Sequence, residues 1–343
     1  MRPVEMLARR CFHSSQLARG IPTSQLKIPL HSRSRFAHPS RVTAVPTRSL
    51  ATTRSPPAMA SENLPKTFDL SLTRARLNDS RSQNTLWLLE ELRIPYTVQT
   101  FRREPNRLAP PELADVHPLG KAPVLEITPA ADPAGTSTPA KAAAPPIRLA
   151  ESGYITQYLV DHFGHRSPGL VPPRWKPGQE GRIGGETEAY ARFQYLLHYV
   201  EGSFFPVIVQ YLLISVLKSS NVPFLVRPLT SAVASKIYSL VLFPTAQKHL
   251  AMLESLLKTA PGVASSSSSP SEAFLCGPDL TAADILISFA LVTAETEGAW
   301  DAMGHWPGGS ARAAHPVLFE YIDRLRRQPG YLKVVEKVKE IEA

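Results

Sequence analysis

The sequence predicts two unlike halves: an α/β unit in the order βαβ then ββα, followed by an all-helical unit. Three observations carry this. Phe68, Leu70 and Leu72 alternate with Asp69, Ser71 and Thr73, and the chain then turns through a polar elbow at Asn78–Ser82 into an apolar helix, a switch from period 2 to helical period within one short stretch. Two further strand-like runs and a return strand follow before a second helix near Ser152. Beyond residue 185 alternation gives way to helical spacing, with Ala189, Phe193, Leu196, Leu197 and Val200 at i, i+4, i+7, i+8 and i+11.

The first half reads as follows. Arg74 and Arg76 interrupt the first strand. In the elbow helix, Leu86, Trp87, Leu88 and Leu89 form a nearly continuous apolar girdle ahead of Glu90 and Glu91, so it packs between a sheet and another element, where a surface helix would show one stripe. Tyr96, Val98 and Thr100 alternate with Thr97, Gln99 and Phe101 as a second strand, parallel to the first because a β-α-β unit requires it. After a short helix near Glu112–Val116, the third strand is entered through Pro123. A proline cannot donate to the ladder and so stands at the strand's start, where a cis bond would expose the backbone of Ala122. Residues 128–146 are low-complexity Pro/Ala and read as a disordered enlargement of a hairpin loop. Ile147–Leu149 returns, and Ala150-Glu151-Ser152-Gly153 opens a helix that Gly164 is expected to stop.

In the second half, Phe204–Leu217 is strongly apolar, broken by Pro206 and Gln210, and too short to span a bilayer. It reads as a buried core helix, with a lipid-touching or hydrophobic-ligand surface as the alternative. Gln247–Leu257 is another helix, followed by a flexible serine run, Ser265–Ser269. In Leu280-Thr281-Ala282-Ala283-Asp284-Ile285, a Thr precedes an acid by three residues, the shape of a capping box. Ile285–Val292 is then the buried central helix, and Leu318, Tyr321, Ile322 and Leu325 mark one more.

Net charge of +9 invites a nucleic-acid reading. The first 60 residues, however, hold nine Arg and Lys27 against Glu5 alone, so the whole excess lies in the leader. The remainder is balanced, and no electrostatic footprint for a phosphate backbone is left. Rich in Arg, Ser and Pro and lacking a long apolar core, residues 1–60 have the composition of a mitochondrial transit peptide, the alternative being a disordered basic tail. Arg48-Ser49-Leu50-Ala51 resembles a mitochondrial processing site, with Arg10-Cys11-Phe12-His13 as a poorer second choice, and initiation at Met59 would give a cytosolic form. The chain thus divides into a leader (1–60), an α/β domain (61–165, insert 128–146) and a helical domain (166–343, insert 260–272). Cys11 and Cys276 fall in different parts, so the body has no internal disulfide and no cysteine metal cage. The ten histidines show no HExxH or ligand-spaced cluster, and no metal is expected.

Five stretches in this order, NDSRSQNTLWLLEEL, APPELADVHPLGKAPVLEI, LAESGYITQYL, YVEGSFFPV and DLTAADIL, resemble the cytosolic-type glutathione S-transferases, in the fungal branch related to membrane-associated transferases, over roughly residues 66–335. The resemblance implies a thioredoxin-like first domain that binds glutathione, an all-helical second domain, a homodimer, and scope for peripheral membrane association. It implies glutathione as co-substrate with no cofactor, and a small hydrophobic electrophile as the second substrate. Alternatives on the same fold are a glutathione-dependent peroxidase or thiol reductase, for which the elbow lacks a cysteine, a non-catalytic binding or regulatory module, and a ligandin-like carrier.

Transfer of glutathione needs its thiolate, yet a thiol of pKa about 8.5 is only ~3% ionised at pH 7. Lowering it by ~2 units takes about 2.7 kcal/mol of preferential thiolate binding, within reach of a hydroxyl donor beside a helix N-terminus. Ser80 is the expected donor, with Asn78 and Ser82 as alternates, Asp79 also alignable at that point, and helix capping as Ser80's competing role. By resemblance, Glu151 and Ser152 hold the γ-glutamyl amine and carboxylate. Ala122, ahead of Pro123, pairs its backbone with the cysteinyl unit, and Lys121 and Arg107 are candidates for the glycine carboxylate. Thr281 and Asp284 are assigned to capping.

Overall fold

The computed structural model describes the backbone of residues 67–74 and residues 81–102, 104, 109–128, 145–263 and 272–342, all within one compact unit, Met59–Ala343. The leader, the elbow residues Asn78, Asp79 and Ser80, Arg107, and most of both inserts lie outside the described residues.

The first half runs β1 (Thr67–Arg74), α1 (Ser82–Glu91), β2 (Thr97–Arg102), α2 (Leu113–Val116), β3 (Val124–Thr128), β4 (Ile147–Ala150) and α3 (Ser152–Phe163). Its sheet has the order β2-β1-β3-β4. β2 lies parallel to β1, whereas β3 pairs antiparallel with both β1 and β4. This is the βαβ–ββα thioredoxin-like fold. β2 is an edge strand and buries little, only Val98 and Phe101 being half-covered, whereas Val124, Leu125 and Ile127 of the central β3 are buried. Every residue of α1 from Ser82 to Leu89 is buried, as the apolar girdle predicts. One end of the chain closes over it: Trp87 meets Tyr331 edge-on at 5.4 Å, and Glu90 is paired with Lys333 at 2.5 Å. α3 ends at Gly164, as expected, with that residue at φ −58° and the chain tightening into a 3-10 turn through Arg166.

The second half is helical: α4 (Glu188–Tyr199), α5 (Phe205–Ser215), α6 (Arg227–Ile237), α7 (Phe243–Lys258), α8 (Ala282–Thr296), α9 (Ala299–Met303), α10 (Ala311–Ala314), α11 (Pro316–Arg326) and α12 (Pro329–Glu342). α8 is the buried centre, and Thr281 and Asp284 form the full capping box at its start. Asp284 also accepts from Leu275 N–H at 3.0 Å and from the Tyr321 hydroxyl at 2.7 Å, so its carboxylate pins three segments. Burial pushes that carboxyl above the ordinary range even against these bonds.

Two expectations for Phe204–Leu217 are corrected. The run is not a short segment by itself: with Pro206 inside it, α4 passes through a π-turn, Val200–Phe204, straight into α5, and the continuous helix Glu188–Lys218 is long and apolar enough, by length and composition, to cross a bilayer. Proline lacks an N–H and its ring collides with the carbonyl four residues back, and a turn widened to five residues removes both conflicts. The same device recurs at Pro244, where the π-turn Tyr238–Leu242 joins α6 to α7. Nor is the run a core helix throughout. Phe204, Val207, Ile208 and Tyr211 are buried, but Leu212, Leu213 and Val216 beyond them are exposed.

Candidate functional site

The register of β3 decides what comes together. Val124, its first residue, pairs with Ser71 toward the end of β1 on one side and with Ala150, the last residue of β4, on the other. The strand entry at Ala122–Pro123 and the start of α3 at Glu151–Ser152 therefore share one end of the sheet, the end at which β1 leads toward α1. The Ala122–Pro123 bond is cis. Pro123 is buried, Ala122 half-buried and Lys121 exposed.

Glu151 adopts φ 69°, ψ 114°, makes no side-chain cap bond and is exposed. A non-glycine residue held at such angles costs on the order of 1–3 kcal/mol and persists only where its surroundings over-determine it. Helix capping does not account for this side chain. Ser152 follows, buried, its hydroxyl donating to Glu201 Oε1 at 2.6 Å. Its carbonyl accepts from the Thr156 hydroxyl at 2.8 Å.

Glu201 is a residue that sequence reasoning missed. It lies in the π-turn between α4 and α5, and its second oxygen accepts from Arg81 Nη1 at 2.8 Å. Arg81 stands at the N-cap of α1, with its guanidinium 4.9 Å from the centre of the Phe205 ring. One carboxylate of the helical half thus ties the elbow to the start of α3. Even Gly153 is fitted to it, since a Cβ there would meet the Glu201 side chain at 3.4 Å. The sequence does hold a signal: Glu201 is the last acid before a stretch, residues 202–253, that contains none. A second pin lies deeper, where buried Asn84 of α1 donates to Leu286 O at 2.7 Å and accepts from the Ser288 hydroxyl at 3.2 Å.

Ser82 is fully buried at the first position of α1. Cys276 is a buried free thiol, and burial pushes its pKa well up, so it is not a thiolate near neutral pH. Among the described residues no group of three His, Cys, Asp or Glu is placed to hold a metal ion. A cleft of about 440 Å³ lies at the opposite end of α1, lined by Glu90, Glu91, Leu280, Gln328 and Lys333 among others. It is remote from the sheet end where the predicted groups meet.

Chemically, the shared sheet end offers amide donors from the start of α3, an exposed carboxylate at Glu151, and the half-buried Ala122 leading into β3 next to a buried proline. Such a set suits an extended, zwitterionic peptide. Solved structures place the fold. The chain is similar to the glutathione transferase URE2P6 from Phanerochaete chrysosporium, solved in complex with oxidized glutathione, at 20% identity and a TM-score of 0.51 over 80% of this chain and 97% of that one. It is likewise similar to URE2P8 from the same organism, at 15% identity and a TM-score of 0.50 over 83% and 99%. The architecture is therefore that of a glutathione transferase. Residues 80–162 match the family model of the glutathione S-transferase N-terminal domain. The chain is 30% identical to Glutathione S-transferase 1 of Saccharomyces cerevisiae over 63% of its own length and 77% of that protein's, and 29% identical to Glutathione S-transferase 3 of Schizosaccharomyces pombe over 38% and 42%. The chain belongs to the glutathione S-transferase family.

Proposed function

We propose that the protein conjugates the glutathione thiolate to small hydrophobic electrophiles. The observation that carries this reading is the shared sheet end at which Ala122–Pro123 and Glu151–Ser152 meet the approach to α1, in a chain of this family. Ser80 donates to the thiolate, with Asn78 and Ser82 as the alternates, of which Ser82 is buried. Glu151, Ser152 and the amides of α3 hold the γ-glutamyl end, Ala122 pairs with the cysteinyl unit, and Lys121 and Arg107 are the candidates for the glycine carboxylate. No cofactor takes part. The same reading includes a homodimer, import into mitochondria by the leader with a cytosolic form from Met59, and peripheral membrane association, the last supported by the apolar helices of residues 188–258.

A reductase on this fold is disfavoured by the elbow's lack of cysteine and by the burial of Cys276. The test is retention on immobilised glutathione together with turnover of a chlorinated aromatic. Both are expected. Retention without turnover would make the protein a binding module, and loss of both would overturn the reading.

A further inference from the structure

Helices α4–α5 and α6–α7 form two arms, Glu188–Lys218 and Arg227–Lys258, each long and apolar enough by length and composition to cross a bilayer. In a soluble core helix such a segment is mostly buried; here only 28% and 22% of the two apolar windows are covered. What remains open gathers at the far end of the hairpin. Leu213 on one arm, Phe224 and Leu225 in the turn, and Leu229 and Val233 on the other are exposed, Phe224 and Leu225 by 74% and 79%. Leu229 and Val233 are spaced four apart on one face of α6, and Leu225 precedes that helix in the turn.

The end of the hairpin is not a frayed loop. The Thr230 hydroxyl donates to Leu217 O at 2.7 Å and the Tyr238 hydroxyl to Tyr211 O at 3.2 Å, while the Tyr211 and Tyr238 rings stack at 5.5 Å. Arg227 caps the turn through two bonds to Val222 O. The apolar side chains are thus held out to solvent by a braced scaffold. Exposed contiguous apolar surface on a braced element marks a contact site.

Charge selects the occupant. Residues 61–343 carry 28 acidic side chains, yet none lies from 202 to 253, where Lys218, Arg227, Lys236 and Lys248 are the only charged residues. Lys218 and Arg227 flank the turn on either side, Lys218 with its ammonium 4.8 Å from the centre of the Tyr238 ring and Arg227 bonded to Val222 O, so both fix positive charge beside the turn in a stretch without a carboxylate, the charge that a layer of anionic headgroups attracts. A second copy of the same hairpin would meet this end with like charges, since an isologous contact sets the patch against itself.

We infer that the end of this hairpin, residues 212–241, inserts shallowly into an anionic lipid surface, with Phe224, Leu225 and Leu229 below the headgroups and Lys218 and Arg227 among them. The inference rests on the membrane-facing part of the reading above and assigns it to one surface and one lipid charge. Insertion of this kind reaches about 5–10 Å, the depth of an interfacial amphipathic element, and leaves the sheet end that holds Glu151 and Ser152 outside the layer.

The test uses the full chain, and because the leader is itself basic, the probe at position 225, and not co-sedimentation alone, carries the assignment. Cys11→Ser with Leu225→Cys is labelled with an environment-sensitive fluorophore, Cys276 being buried. It is mixed with vesicles of phosphatidylcholine alone or with one third phosphatidylserine. The expected result is a blue-shifted emission, quenched by lipids brominated near the headgroup, on the anionic vesicles only. Phe224→Ser/Leu225→Ser/Leu229→Ser, checked for folding by retention on immobilised glutathione, should lower vesicle partitioning roughly tenfold or more. Co-sedimentation with a solvent-like probe would overturn this assignment while leaving membrane association standing. Failure to co-sediment at all would overturn both. A probe shifted without vesicles, together with a dimer that the triple variant dissociates, would make the patch a contact between copies and overturn the lipid assignment.

Discussion

Replacing Glu201 tests whether the helical half takes part in glutathione recognition. Its carboxylate accepts from the Ser152 hydroxyl at 2.6 Å and from Arg81 at 2.8 Å, with the Arg81 and Glu201 side chains 24% and 22% exposed. A hydrogen bond to a charged group contributes about 1.5–3 kcal/mol, and partial exposure places the Arg81 bond near 1 kcal/mol after screening. Glu201→Ala should therefore destabilise the fold by about 2–3 kcal/mol. Glu201→Gln, which keeps an acceptor of the same size, should cost about 1 kcal/mol. If the carboxylate orients Ser152 and the elbow for ligand, part of this loss reappears in binding, and Glu201→Ala should weaken glutathione affinity roughly tenfold, since 1.4 kcal/mol is one decade. Chemical unfolding and a glutathione titration measure the two effects separately. A double-mutant cycle of Arg81→Ala with Glu201→Gln should return a coupling of about 1 kcal/mol. A large fall in stability with affinity unchanged within about twofold would show that the network only clamps the two halves together.

Ser80→Ala should lower turnover roughly tenfold to a thousandfold while leaving glutathione affinity nearly intact, because a donor to the thiolate acts on the ionised state; a silent Ser80→Ala beside an impaired Asn78→Ala or Ser82→Ala moves the role to that residue. Glu151→Ala should do the opposite, weakening binding by about 2–3 kcal/mol, which retention on a glutathione column reads directly. Asp284→Ala strands the Leu275 and Thr281 amides and the Tyr321 hydroxyl in the interior and should cost about 3 kcal/mol or more in urea unfolding; a near-normal midpoint would refute its structural role. Burial holds His315 below the ordinary histidine range, and although Glu254 at 3.6 Å pulls the other way, that carboxylate is already paired with Lys258 at 2.6 Å. The folded state therefore prefers neutral His315, so its contribution is complete above about pH 6.5 and is lost as the pH falls below that value. His315→Gln should flatten the acid limb of the stability–pH curve, and an unchanged limb would assign the loss to other groups.

The order of elements, the girdle of α1, the strand entry at Pro123 and the capping box at Thr281–Asp284 were all legible in the sequence, because each is fixed by neighbours a few residues apart. Period, proline and capping chemistry are local properties, and burial of α1 follows from four consecutive large apolar residues that no single stripe can hold. What the sequence could not supply was any relation across long separations. The bonds from Glu201 to Arg81 and Ser152 span 120 and 49 positions, and that from Asn84 to Leu286 spans 202. No spacing rule links such residues; only the packing of the helical half against α1 and α3 brings them within bonding distance. The tertiary structure also decided the fate of Phe204–Leu217. A run of apolar side chains states a preference for leaving water, but not what will cover it, and Pro206 marks a break only if no wider turn absorbs it. The fold widened the turn at both Val200–Phe204 and Tyr238–Leu242, covered the inner half of the hairpin with its own core and left the outer half exposed.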